Sequence, residues 1–379
     1  DGINLHFHGL RIAPTGHGDN MHILVAPGDS FDYAFRIPPN HPPGLFWYHD
    51  HAHGAAEPHV MAGLSGALLI EGFAGQFQGL QAVAQKLLVL KDWKLTDCDG
   101  DGLKIALHCR VVSINGQAGW TDTIAPGAEQ LWRVSNQGAN LVLHLAAHGL
   151  HMRVIGRDSM PAARGQDTET IDIMPAARLD VLVHADTAGP VDLVAVGVPT
   201  GHGAGFSVRR VLGHIDVSGT QADAPAQVLH PPHMNDLRTA TINAHRTIVF
   251  SENAAATEYY VNGKRFDPLR TDIRAPLGNI EEWTVRNVTQ DFHEFHIHQV
   301  SFQVTEINGV PQTFDGDVDT VRVPEHGEVK LVIPFTDPNI VGHIMFHCHV
   351  LNHEDRGMMT MLEVYRPGGA AICRTVEKQ

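Results

Sequence analysis

Charged side chains are scarce in this sequence, making up 18% of its 379 residues against roughly 25% in ordinary globular chains. Positive charge is scarcer still: 27 Lys and Arg face 42 Asp and Glu, the formal charge is −15, and no basic cluster occurs. That balance argues against a nucleic-acid or anionic-membrane partner. No apolar run reaches the ~18 residues of a membrane span, so no span is expected. Four Cys are too few for a disulfide scaffold at this size; Cys98 and Cys109 could close a short loop, leaving Cys373 as a free thiol. Sustained helical spacing is missing, which excludes a helix bundle. The chain also lacks an initiator Met and a visible signal peptide, opening at Asp1, and reads as a processed or truncated product.

Histidine is the excess. The 27 His are about 7% of the chain, roughly three times the ordinary share. A hydrophobic fraction of 43% supplies a core for two or three domains, and 37 Gly with 22 Pro favour turn-rich β architecture. Short β-branched or alternating runs, such as LSGALLIEG (64–72), KLLVLKDW (86–93), EQLWRVSN (129–136), RLDVLVHA (178–185) and GEVKLVIPF (327–335), are bounded by Gly, Pro, Asn and Asp, the strand-and-turn pattern of a sandwich. Residues 72–81 and 219–236 are poor in such runs and read as linkers. Segments 115–149 and 262–299 share one order of features: an Asn-Gly turn, a Pro step, a Trp-containing strand, an Asn, then a His-bearing strand. That echo predicts one sandwich used more than once.

Four His-rich stretches carry the chemistry: LHFHGL with His6 and His8; WYHDHAHG with His49, His51 and His53; HEFHIH with His293, His296 and His298; and HCHVLNHEDRGMM with His347, Cys348, His349, His353 and Met358. On an extended strand residues i and i+2 share a face, so each His-X-His offers two imidazoles to one cavity. In His347-Cys348-His349 the same alternation sends the thiol to one side and both imidazoles to the other. A Cys with two imidazoles and a weak axial thioether is the ligand set of a blue-copper electron-transfer centre; Cys348, His353 and Met358 are neighbours in sequence and His293 supplies the second imidazole. Eight further imidazoles remain, a number that suits three copper ions in an all-nitrogen cavity.

Taken in order, these blocks resemble the His-X-His-Gly, His-X-His, His-X-X-His-X-His and His-Cys-His-X3-His-X4-Met pattern of the multicopper oxidases, of the bacterial laccase type. The resemblance implies an all-β chain of three cupredoxin-like Greek-key sandwiches: 1–75, the first and incomplete; 76–222, expected to hold no copper; and 223–379. It implies four copper ions: type 1 at His293, Cys348, His353 and Met358; type 2 at His6 and His296; and a type 3 pair at His8, His49 and His349 and at His51, His298 and His347. The implied activity is one-electron oxidation of small phenols or aromatic amines coupled to reduction of dioxygen to water, in a periplasmic or secreted protein. Glu354 matches a family proton donor, and Asp19 occupies about the place of a family Asp near type 2 copper.

Two departures from the family matter. Only residues 1–5 precede the first block, so an open sheet edge near residues 64–70 is expected, covered by a homo-oligomer or a strand partner. The 10 Met are scattered rather than gathered in an insert, which shifts weight from a cuprous or ferrous metallo-oxidase toward organic donors. A copper nitrite reductase would leave half of the eight imidazoles unused, and a non-enzymatic copper-binding protein would be expected to have lost ligands. Asp97, Asp99 and Asp101 mimic a calcium loop, but His108 stands where the closing Glu belongs, so no calcium is expected. His144, His148 and His151 read as remnants of a duplicated fold rather than as ligands.

Overall fold

The computed structural model describes residues 2–94, 110–198, 209–222 and 230–369. Cys98, Cys109, Cys373 and the calcium-like segment fall outside them. The chain's regular secondary structure is nearly all strand. A first group comprises β1 (Leu5–His8), β2 (Gly44–Asp50), α1 (Ala56–Met61) and β3 (Ser65–Ile70). A second runs through β4 (Ala84–Lys94), β5 (Arg110–Ile114), β6 (Trp120–Ile124), β7 (Glu129–Asn136), β8 (Val142–Ala146), β9 (His151–Arg157), β10 (Met160–Thr168), β11 (Thr170–Ile173), β12 (Arg178–His184), β13 (Gly189–Val198) and β14 (Arg209–Val217). The third holds β15 (Ala244–Glu252), β16 (Tyr259–Val261), β17 (Ile273–Pro276), β18 (Asn279–Asn287), β19 (His293–Ile297), β20 (Gln303–Ile307), β21 (Val310–Pro311), β22 (Thr320–Val323), β23 (Glu328–Phe335), β24 (Gly342–Cys348), α2 (Leu351–Asp355) and β25 (Met359–Tyr365).

The second and third groups each form a six-stranded and a five-stranded sheet, and their topologies are the same. The order β5-β4-β7-β12-β9-β10 corresponds strand by strand to β16-β15-β18-β23-β20-β21, and β6-β14-β13-β8-β11 to β17-β25-β24-β19-β22. Parallel pairs recur at matching places, β4 with β7 and β15 with β18, then β6 with β14 and β17 with β25. The sequence echo has a physical counterpart. Asn115-Gly116 and Asn262-Gly263 both take positive φ in two-residue turns, as hairpin twist requires, and each Asn side chain accepts from the neighbouring strand, at Val89 N–H and Val249 N–H, 2.8 Å apiece. Trp132 and Trp283 each donate an indole N–H to the side chain two residues earlier, Gln130 and Glu281, at 2.9 Å. These pairings let a large ring enter the core without stranding its N–H.

Each sandwich closes on its own core: Trp120, Trp132, Val134, Val181 and Leu193 among others in the second group, Trp283, Phe295, Phe302, Leu331 and Phe346 in the third. Residues 72–81 differ from the linker expected. Phe73, Phe77 and Leu80 are buried against Leu131, Ile155 and Leu182, because strand alternation turns Leu131 away from the core that holds Trp132, and that outer apolar patch needs cover. In the first group a single sheet, β1-β2-β3, is present among the described residues. Phe7 and Phe46 pack with Tyr33, Phe35, Leu68 and Ile70. Among the described residues β3 pairs only with β2, and Leu64 and Leu69 are exposed by 45% and 43%.

Two polar clamps tie the first group to the others. The Asp355 carboxylate accepts from the N–H groups of Gly54, Ala56 and Glu57 at the start of α1, where the helix has unsatisfied donors. The Glu57 carboxylate accepts from Asn140 at 2.7 Å and Asn352 at 2.8 Å, one from each of the other groups. The second clamp centres on Arg178, fully buried, which donates to the Leu45 carbonyl and bidentately to Asp319 at 2.8 and 2.6 Å. Gly9, the glycine of the first His block, sits against it at φ 84°, and a Cβ there would come within 2.8 Å of the guanidinium and 2.9 Å of Phe46. Gly9→Ala is therefore expected to cost about 2 kcal/mol or more, from the left-handed backbone alone plus the collision, measurable as a lowered denaturation midpoint.

Candidate metal centres

The Cys-containing centre is assembled from β19, β24 and α2. Cys348 Sγ lies 3.5 Å from His293 Nδ1 and 3.6 Å from His353 Nδ1, and the two nitrogens are 3.1 Å apart. Antiparallel pairing of Phe295 with Cys348 brings the first two together; the turn through α2 returns His353, whose carbonyl accepts from Met358 N–H at 3.0 Å while the Met358 carbonyl accepts from Cys348 N–H at 3.1 Å. Met358 is fully buried in the same core as Cys348. The sulfur also accepts from Glu294 N–H at 3.4 Å. Burial pushes the Cys348 thiol up and holds His293 down at about 3. A neutral imidazole pair beside a buried thiol gains most from a cation that replaces the thiol proton. Tyr259 stacks on His353 with ring centres 4.3 Å apart.

The remaining eight imidazoles form one cluster on the other side of the Cys348 backbone. Their donor atoms group as His6, His8 and His296; His8, His49 and His349; and His51, His298 and His347, the atoms within each set lying inside 4.8 Å. The Nε2 atoms of the last set stand 3.2 Å from one another on all three sides, close to the ~3.3 Å edge of a tetrahedral site with metal–nitrogen bonds near 2.0 Å. His6 stacks on His298 and His8 on His296, at 3.6 and 3.8 Å between centres. Burial lowers every one of these imidazoles, His49 and His51 to about 3 and His347 to about 4.

Acceptors behind the rings fix which nitrogen faces inward, as they do for metal-ligating histidines generally. His49 Nδ1 donates to the Asp50 carbonyl at 2.9 Å and His296 Nδ1 to the Asp319 carbonyl at 2.8 Å. His6 Nδ1 meets Asp19 at 2.8 Å and His8 Nε2 meets Asp319 at 3.2 Å. The opposite nitrogens, Nε2 of His6, His49 and His296 and Nδ1 of His8, are buried with no hydrogen-bond partner, as are both nitrogens of His349. Stranded buried polar atoms cost about 1–3 kcal/mol each, and a bound cation removes that cost. The donor set fits copper.

The ten histidines and Cys348 expected as ligands are thus gathered into two groups, Met358 shares the core of Cys348, and both carboxylates reach the eight-imidazole cluster. Asp19 is fully buried, accepts from Phe7 N–H and Gln299, and burial raises it to about 7. Glu354 has its Oε2 2.9 Å from His347 Nδ1 and its Oε1 3.6 Å from His51 Nδ1, and burial raises it to about 7. It lies in α2. His53 stays outside, exposed against Phe266. His144 and His151 sit 2.5 and 3.0 Å from Asp172 and Asp186, and His148 is exposed.

Asp319, Arg178 and Asp158 could not be singled out from the sequence. Asp319 backs His8 and His296 together, Arg178 neutralises it from 141 residues away, and Asp158 accepts from the N–H groups of Asp319 and Thr320. No spacing connects these positions. Arg178→Met should leave Asp319 as an uncompensated buried charge, costing about 3–5 kcal/mol. The expected outcome is loss of copper from the eight-imidazole cluster with the blue absorption retained, measured by metal analysis beside visible spectra.

Three family models, each described as multicopper oxidase, match residues 1–74, 47–195 and 230–368. The chain is 24% identical over 439 residues to multicopper oxidase LPR1 homolog 1 of Oryza sativa subsp. japonica, covering 96% of this chain and 75% of that one. A metallo-oxidase from Campylobacter jejuni superposes with TM-score 0.79 at 24% identity, covering 97% and 81% of the two chains. A laccase-like enzyme from Ochrobactrum sp., with oxidase activity towards lignin model compounds, gives TM-score 0.79 at 24% identity over 96% and 85%. The fold is therefore that of cupredoxin-like multicopper oxidases, and this chain belongs to the multicopper oxidase family, copper oxidoreductases that use dioxygen as acceptor.

Proposed function

We propose that the chain is a laccase-like oxidase that takes single electrons from small phenols or aromatic amines and delivers four of them to dioxygen. The observation that carries this reading is the gathering of ten imidazoles and Cys348 into two buried centres joined by one stretch of backbone. Cys348, His293 and His353, with Met358 as axial thioether, would hold type 1 copper. His6 and His296 would hold type 2, while His8, His49 and His349, and His51, His298 and His347, would hold the type 3 pair. Bound copper supplies one-electron acceptance and storage, which a one-electron donor and a four-electron acceptor together require.

The protein's own part is placement, electrical insulation and proton supply. Cys348 joins the centres covalently, since its backbone neighbours His347 and His349 both belong to the cluster. The fully buried rings keep water from the electron path. Glu354, between His347 and His51, and Asp19, behind His6, are the carboxyls placed to hold protons beside the cluster. Aromatic cover at the type 1 side, Tyr259 on His353, suits a planar organic donor passing electrons without coordination.

A second reading is a cuprous or ferrous donor, for which carboxylates near the type 1 side count: burial raises Tyr259, and the charges of Glu252 and Asp291 raise it further. The exposed Leu64 and Leu69 at the β3 edge support cover by a second copy or a strand partner. Steady-state oxygen uptake separates the donors: a methoxyphenol is expected to give the higher kcat/KM, and a Cu(I) rate about tenfold above it would overturn the organic assignment.

A further inference from the structure

A cavity of about 530 Å³ opens beside the eight-imidazole cluster, and its wall includes Met21, His22, His51, His53, Met345 and Met359. The methionines are far apart in sequence but not in space. Pairing of β24 with β25 sets Met345 opposite Met361 and His347 opposite Met359. Strand alternation points this set to the face of β24 that Cys348 avoids. Met21, from the loop after β1, joins Met345, Met359 and Met361 in one buried cluster, with Phe266 alongside. His22 Nε2 lies 3.0 Å from His343 Nδ1, two residues before Met345 on the same face. From the outside inward, the order is imidazole, thioether, then the cluster imidazoles His51 and His347.

Methionine often serves as a core filler. Here, however, three methionines line an open cavity whose wall, among the described residues, contains no Asp, Glu, Lys or Arg. Neutral sulfur and nitrogen donors without a carboxylate suit a soft monovalent ion and disfavour hard divalent ones. We propose that this cavity is a cuprous-ion port for the cluster: Cu(I) binds among Met21, Met345 and Met359 and passes to His51, His298 and His347. In that transfer thioether–copper bonds are exchanged for imidazole–copper bonds, and no electron moves. The port rests on reading those three imidazoles as copper ligands.

The test uses Ag(I), a redox-silent ion of the same charge and softness, and methionine methyl NMR on the fully loaded, reduced protein. One equivalent of Ag(I) is expected to shift the methyl signals of Met21, Met345 and Met359 while leaving Met152 and Met160 unmoved. In the second arm the metal-free full chain is refilled anaerobically with Cu(I) or aerobically with Cu(II). Met21→Leu with Met345→Leu, which nearly conserves volume, should slow Cu(I) filling of the cluster by about tenfold, with Cu(II) filling and recovery of the blue band unchanged. Unmoved methyl signals in the wild type, or equal Cu(I) filling rates in the variant, would overturn the port. A wild-type cluster that takes up no copper would instead sink the ligand reading beneath it, and that failure shows in the metal content alone.

Discussion

Cys348→Ser is expected to bleach the copper-loaded protein completely and reduce oxygen uptake to background. The intense visible absorption of a type 1 site comes from charge transfer between thiolate and Cu(II), and serine offers no such donor. Cys348 is also the covalent link between the two centres, so its loss removes the colour and the electron path together. The cluster should still fill, because none of its eight imidazoles touches the new hydroxyl's side of β24. A colourless wild type at full copper load would contradict the assignment, as would a blue serine variant.

The second large effect falls on protons. Glu354→Gln should lower turnover by about 100-fold, the lower end of what a positioned acid contributes, while substrate still bleaches the blue band at nearly the wild-type rate. The split follows from geometry: the carboxyl lies beside His347 and His51, whereas the first electron would be accepted by the copper that Cys348 holds, before any proton is needed at the cluster. Equal loss in both half-reactions would place the damage at the adjacent His353 and remove the case for a proton relay.

The candidate ligands were legible because they are local. A two-residue period on a strand needs no knowledge of the rest of the fold, so the pairs His6 with His8, His49 with His51, His296 with His298 and His347 with His349 could each be assigned to a common cavity. The repeat was legible for the same reason, since Asn115 and Asn262, and Trp132 and Trp283, do their work within one or two strands. Contacts set by packing between groups were not. Arg178 meets Asp319 only because the second sandwich docks on the first and third, and Glu57 finds Asn140 and Asn352 for the same reason. The methionines looked scattered because strand register, not sequence distance, puts Met359 opposite His347. Residues 72–81 looked like a linker because the patch they cover, Leu131 with Ile155 and Leu182, lies on the outer face of a sheet whose inner face already had a core.

Copper counting against spin counting on one sample tests the central claim most directly. Elemental analysis of the resting, oxidised protein should give four copper ions per chain, while electron paramagnetic resonance should integrate to only two spins, one type 1 and one type 2. The missing pair is what two coupled ions, held by His8, His49 and His349 and by His51, His298 and His347, would hide. Two copper ions and two spins, or four of each, would contradict a shared eight-imidazole cluster.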